Sequence, residues 1–251
     1  MEIKHLQSLD IGNAGGSTIV IPCLPDTAID EVLTTLSPDL QTTAGRIAHD
    51  YAQSKEDVFM LFAGDVRIEL VRVKESSFGI MHKAMYNFTA RNGRNFTPQV
   101  HLTLTHLQQD VDSLAEAAVN GFLLGSYQPG LYKSDQKKPA PPQLCVYCDA
   151  SATAAIERGR HAATTQQEIM RLVNTPSNHK SPQTLADWAV ASGKRHGYDV
   201  TVLTEDVLQE QGFEALLAVN RGSEYPARFI ICDYQPEGDH PQIALVGKGV
   251  T

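Results

Sequence analysis

Ile243-Ala-Leu-Val-Gly-Lys-Gly-Val-Thr251 is the last stretch of the sequence, an apolar run followed by two glycines that bracket one lysine. The run Ile243–Val246 reads as a buried strand. Gly247 and Gly249 lack a Cβ and so free the backbone on either side of Lys248. A charged residue placed this way at a strand end is where open α/β sheets commonly put chemistry, at the carboxyl edge. Lys248 is therefore the first candidate for a functional group, and the chain before it should alternate strands with helices.

It does. Ser17–Pro22 is β-rich and follows the turn-forming Gly12-Asn-Ala-Gly-Gly16. Ile29 to Gln53 carries helical signals that break near Ser37-Pro38. Val58-Phe-Met-Leu-Phe62 is a continuous apolar run, as expected of a strand covered on both faces. Beyond Gly64-Asp65, Val66-Arg-Ile-Glu-Leu-Val-Arg-Val73 largely alternates apolar with charged residues, which suggests a strand with one solvated face and makes a hairpin plausible. Helical spacing returns over Phe78–Arg91 and Val111–Tyr127, a strand pattern over Val100–Leu104 and Gln143–Cys148, and a polar, Pro-rich loop over Lys133–Pro142.

Thr153 to Val173 is the longest helical pattern, with Ile156, Gly159, Ala163, Gln166, Met170 and Val173 on one stripe. Gly159 and Ala163 leave room for another element. Pro176 ends this helix, since it lacks an N–H and restricts the residue before it. Ser181 is then a good N-cap with Pro182 in the first helical position, and Gly197 stops the helix they start. Tyr198–Leu203 and Arg228–Tyr234 read as strands. Thr204 starts a short helix with Glu205 and Asp206 in its first turn, and Ala215–Val219 is ambiguous between strand and helix.

The 251 residues are 42% hydrophobic and 20% charged, enough to bury a large core. A net charge of −8 speaks against a general electrostatic grip on nucleic acid or on an anionic membrane. No apolar run approaches the roughly 20 residues that span a bilayer. The N-terminus lacks the charged and apolar regions of a signal peptide. Four cysteines without framework spacing suit a reducing compartment, so a cytoplasmic protein is expected.

Other motifs carry less. Cys145-Val-Tyr-Cys148 has the spacing of a redox or zinc pair, but a strand puts positions three apart on opposite faces, so packing thiols are expected. Gly12–Gly16 precedes a strand instead of linking a strand to a helix, which favours a turn over a phosphate cradle. His101, His106, His161 and His179 show no metal-ligand spacing, and neither a nucleophile elbow nor a P-loop occurs.

From about Gly159 onward the sequence resembles the leucyl aminopeptidase (cytosol aminopeptidase) family of dinuclear metallopeptidases. Arg171-Leu-Val-Asn-Thr-Pro-Ser-Asn-His-Lys-Ser-Pro-Gln-Thr-Leu-Ala186, Ala215-Leu-Leu-Ala-Val-Asn-Arg-Gly-Ser223, Pro226-Ala-Arg-Phe-Ile230 and Ala244–Thr251 follow in the family's order. Gly121-Phe-Leu-Leu-Gly-Ser-Tyr127 is similar to a helix near the end of its N-terminal domain. The resemblance implies an α/β protein: a mixed-sheet, macro-domain-like α/β domain over residues 1–150, a linking helix over 151–173, and the start of an α/β catalytic domain over 174–251. It implies peptide substrates with Leu preferred at the N-terminus, a hexamer, and two divalent ions, zinc, manganese or magnesium.

The same resemblance makes Lys248 a metal ligand. An ammonium has no lone pair, so the ion must take the neutral amine, which requires a field strong enough to displace a proton of ordinary pKa about 10.4. The family's motif continues beyond the threonine into further ligands. The expectation is a chain incomplete in its catalytic domain and inactive alone. The alternative is a non-catalytic module, macro-domain-like or DNA-binding, that serves binding or oligomerisation.

Overall fold

The computed structural model describes residues 3–6, 9, 14–129 and 142–249. The loop expected over 133–142 lies, apart from Pro142, outside them. Residue contacts divide the chain into two compact units, Met1–Arg171 and Leu172–Thr251.

The first unit is built on a six-stranded sheet. Its strands are β1 (Ile3–Leu6), β2 (Thr18–Cys23), β3 (Val58–Ala63), β4 (Val66–Arg72), β5 (Gln99–Thr103) and β6 (Gln143–Tyr147). They lie in the order β1-β6-β5-β2-β4-β3, all neighbours parallel except β3, which runs antiparallel to β4. Helices α1 (Ile29–Leu36) and α2 (Ala44–Gln53) cover one face, with Ile19, Ile21, Ile68, Leu70, Leu33 and Tyr51 in one apolar cluster. Helices α3 (Phe78–Asn92) and α4 (Val111–Gly125) cover the other, over Val20, Val71, Val100, Leu102, Leu144 and Val146. The interval Ser37–Leu40 does interrupt the first helical stretch, as a single 3-10 turn.

The hairpin β3–β4 forms in register, Val58 opposite Val71 and Ala63 opposite Val66. Its two strands exchange the roles expected from their patterns. The apolar β3 is an edge strand, with Met60 and Phe62 51% and 60% exposed, so it is not covered on both faces. The charged β4 is interior, and Glu69 is 1% exposed. The reason is pairing within one face: Arg67 and Glu69 are two apart, project together, and form an ion pair. Burial still pushes the Glu69 carboxyl above its ordinary range, the Arg67 charge opposing it.

α4 is buried nearly all round from Leu114 to Gly125, because α3 packs on one side and α5 (Thr153–Asn174) on another. Three glycines set these distances. A Cβ on Gly121 would fall on the carbonyl of His82, one on Gly125 would lie 2.5 Å from that of Tyr86, and one on Gly159 2.5 Å from that of Glu116. The small residues on α5 thus do admit a neighbour, and it is α4. Asn120 donates to the Gly159 carbonyl at 3.3 Å, and Gln167 to that of Leu123 at 2.5 Å.

The second unit holds α6 (Pro182–His196), β7 (Asp199–Thr204), α7 (Glu205–Glu210), α8 (Glu214–Asn220) and β8 (Arg228–Asp233). β7 and β8 pair antiparallel. The ambiguous stretch at 215–219 is helical. Ile243–Val246 is not a strand: it is irregular, and Ile243, Leu245 and Val246 are 82%, 95% and 92% exposed. A strand exists only against a ladder partner, and the β7–β8 pair supplies none to this run. Among the described residues no helix is long and apolar enough to cross a membrane.

Candidate functional site

The stretch that closes α5 is held by its own side chains. Lys180 Nζ donates to the carbonyls of Leu172 at 2.9 Å and Val173 at 3.2 Å, satisfying two acceptors that the helix end leaves open. Ser181 and Thr184 form a reciprocal capping box that starts α6. Gly197 ends α6 with φ of 74°, a conformation open to glycine without strain.

Glu205, read from sequence as favourable to a helix dipole, has a larger part. Its Oε2 accepts from the backbone N–H of Ala227 at 2.6 Å and from Asn220 Nδ2 at 3.3 Å. Asn220 also donates to the Tyr225 carbonyl at 3.0 Å. One carboxylate therefore pins both ends of the loop that leads into β8. Arg228 Nε then reaches Gln183 Oε1 at 2.7 Å and ties β8 to α6. No spacing in the sequence announces these contacts, because the partners of Glu205 lie 15 and 22 residues away.

Lys248 stands exposed in the irregular stretch that follows. Among the described residues no group of three or more His, Cys, Asp or Glu side chains could hold a metal ion. One exposed amine does not fit a dinuclear centre, whose ions need several converging donors.

The remaining candidates resolve into packing. Cys145 and Cys148 are both buried and unbridged. Cys148 joins the cluster under α4 and Cys145 does not, as strand alternation requires. Burial raises the Cys148 thiol, and lifts that of Cys23 to about 12. His101 Nδ1 meets the Tyr147 hydroxyl at 2.9 Å and His106 Nε2 meets the Pro22 carbonyl at 2.8 Å. Burial lowers the pKa of both rings. His161 and His179 are exposed. Of the Gly12–Gly16 segment, Ala14–Gly16 is described, and with Ser17 it forms a turn closed by Ser17 N–H on the Ala14 carbonyl at 3.0 Å. An open recess of about 340 Å³ at the carboxyl edge of β5 and β6 is lined by Thr105, Cys148, Asp149 and Ala150.

The catalytic-domain profile of the cytosol aminopeptidase family matches residues 168–251. Over these residues the chain resembles the cytosol aminopeptidases. A protein named "Probable cytosol aminopeptidase" from Chlorobaculum tepidum is 34% identical over 241 residues, which cover 85% of this chain and 45% of that relative. Another from Chlorobaculum parvum is 40% identical over 153 residues, 56% of this chain and 30% of the relative. The chain thus spans at most about half the length of these cytosol aminopeptidases. A tomato leucine aminopeptidase variant shares the fold with a TM-score of 0.75 at 20% identity, covering 95% of this chain and 52% of that one. The bottromycin maturation enzyme BotP, solved in complex with Mn, shares it at 0.69 and 20% identity, covering 89% of this chain and 46% of that one.

Proposed function

We propose that this chain supplies part of a metal-dependent aminopeptidase that releases N-terminal amino acids, Leu preferred, from peptides in the cytoplasm. The observation that carries the reading is the family match over residues 168–251, which ends on the Gly-Lys-Gly stretch. In this reading Lys248 gives its neutral amine to one of two divalent ions, zinc, manganese or magnesium, once other donors converge on it. The described residues do not gather those donors, and in this reading hydrolysis waits on them. The chain's own residues shape the approach: Glu205 and Arg228 fix the loop and strand that precede Lys248 in the chain.

The test is a chimera in which residues 168–251 replace the matching stretch of the Chlorobaculum tepidum relative. With manganese it should hydrolyse leucyl-p-nitroanilide, and Lys248→Ala should abolish turnover while the unsubstituted relative serves as control. The isolated chain should show none. Turnover that survives Lys248→Ala would remove the lysine from the site.

A second reading, an oligomerisation module, is favoured by one observation, the uncovered apolar edge strand β3.

A further inference from the structure

The loop over residues 104–110, between β5 and α4, is tied to β2 through a side chain. His106 Nε2 lies 2.8 Å from the Pro22 carbonyl, 84 residues away in the chain. A carbonyl only accepts, so Nε2 carries the proton and Nδ1 keeps a bare lone pair. That Nδ1 is closed to solvent and, among the described residues, has no hydrogen-bond partner. Leu104 and Leu107 anchor the loop in the apolar cluster shared by α3 and α4, while Thr105, Gln108 and Gln109 are exposed. At its far end Asp110 has φ 48° and ψ 33°, a left-handed conformation that a residue with a Cβ enters at a cost.

This arrangement suits a neutral imidazole alone. A second proton would sit on Nδ1, where it meets neither water nor an acceptor, and a buried N–H left unpaired is costly. The charged groups on the segments that leave the same edge of the sheet are Asp26 after β2, Lys74 and Glu75 after β4, Asp110 and Asp112 at the start of α4, and Asp149 after β6. None of them acts on the His106 proton. Burial opposes it, and the Pro22 carbonyl favours it more weakly.

We infer that His106 is a pH-sensitive latch: neutral, it holds the 104–110 loop shut against β2, and as a cation it turns out to solvent and the loop opens about Asp110. Thr105, next to the latch, lines the recess of about 340 Å³ with Cys148 and Asp149, so the latch governs one wall of that recess. The closed loop lowers the pKa of the ring, and the open loop restores the ordinary value of about 6.5. The loop is therefore fully latched above about pH 6.5 and loosens as pH falls below it. Opening takes up one proton, so its equilibrium constant should rise by up to about tenfold per pH unit. The inference stands whether or not the peptidase reading does.

The test is amide hydrogen exchange by NMR from neutral pH downward, corrected for the intrinsic rate at each pH. Leu107, whose N–H donates to the Leu104 carbonyl at 3.1 Å, reports the loop, and Val20 in the middle of β2 reports the unit as a whole. Leu107 should lose protection along that slope while Val20 stays better protected. His106→Gln can still donate to Pro22 but does not titrate, and it should hold Leu107 protection constant. A Leu107 protection that does not fall with pH overturns the inference. So does a fall shared equally by Val20, or one that persists in folded His106→Gln. Should His106→Gln not fold, His101→Phe decides: the Leu107 slope must survive in it, and its loss would move the proton to His101 and overturn the latch.

Discussion

Gly121 of α4 sits against the carbonyl of His82 on α3, at a distance that leaves no room for a Cβ. The neighbouring contact of Gly125 with Tyr86 repeats it one turn later. These contacts hold α4 close enough to α3 for both helices to share the apolar cluster over β2, β4, β5 and β6.

Gly121→Ala should therefore destabilise the first unit by about 1–3 kcal/mol, the usual cost of forcing extra volume into a packed interior. Gly45→Ala is the control: it sits on α2 with open space around it, and alanine there should stabilise slightly through helix propensity. Thermal unfolding of both variants checks the contrast.

The two buried imidazoles set an acid limit. Burial lowers the pKa of His101 and His106 in the folded chain, so the unfolded state binds more protons. Stability contributed by the neutral rings is present above the ordinary value of about 6.5 and is lost as pH falls through it. Denaturant unfolding should show the first unit weakening below about pH 6.5. His101→Phe should flatten that slope, and an unchanged slope would remove His101 as its source.

Glu69 works in the opposite sense. Its folded pKa is raised, so the native state holds the proton longer than the unfolded one. Relative to Glu69→Gln, the wild-type chain should lose stability as pH rises from the ordinary value of about 4.3 through the raised one. Parallel titrations of the two proteins, followed by urea midpoint, decide it; a difference that does not change with pH would exclude a raised carboxyl.

Ser181→Ala should cost the second unit about 1 kcal/mol, because it opens the capping box of α6 and leaves the Thr184 N–H without its acceptor. Glu205→Ala should cost more, since it strands the Ala227 N–H and frees both ends of the loop at once. Hydrogen exchange at Ala227 would report the second loss directly.

Elements that obey local rules were legible in the sequence. Pro176, Ser181-Pro182 and Gly197 punctuate α5 and α6 as backbone chemistry demands, and the helical stripes fall where helices form. Sheet order was not. An apolar run says that a strand is hydrophobic and not where it lies, so β3 went to the edge and β4, whose Arg67 and Glu69 pair with each other, to the interior. Ile243–Val246 failed for a related reason, since strand propensity is realised only beside another strand. Lys248 owed its role as a metal ligand to the family motif, and the described residues gather no donors around it. The structural roles of Glu205 and Lys180 rest on contacts that periodicity does not encode.

The thiols offer a readout of the two units separately. Cys23, Cys145 and Cys148 lie buried in the first unit, and Cys232 is exposed on β8 in the second. An alkylating reagent meets one sulfur on the native chain and gains three more only when the first unit opens. Counting labels against time by intact mass would therefore time the opening of that unit alone, with the chain's own cysteines as the clock.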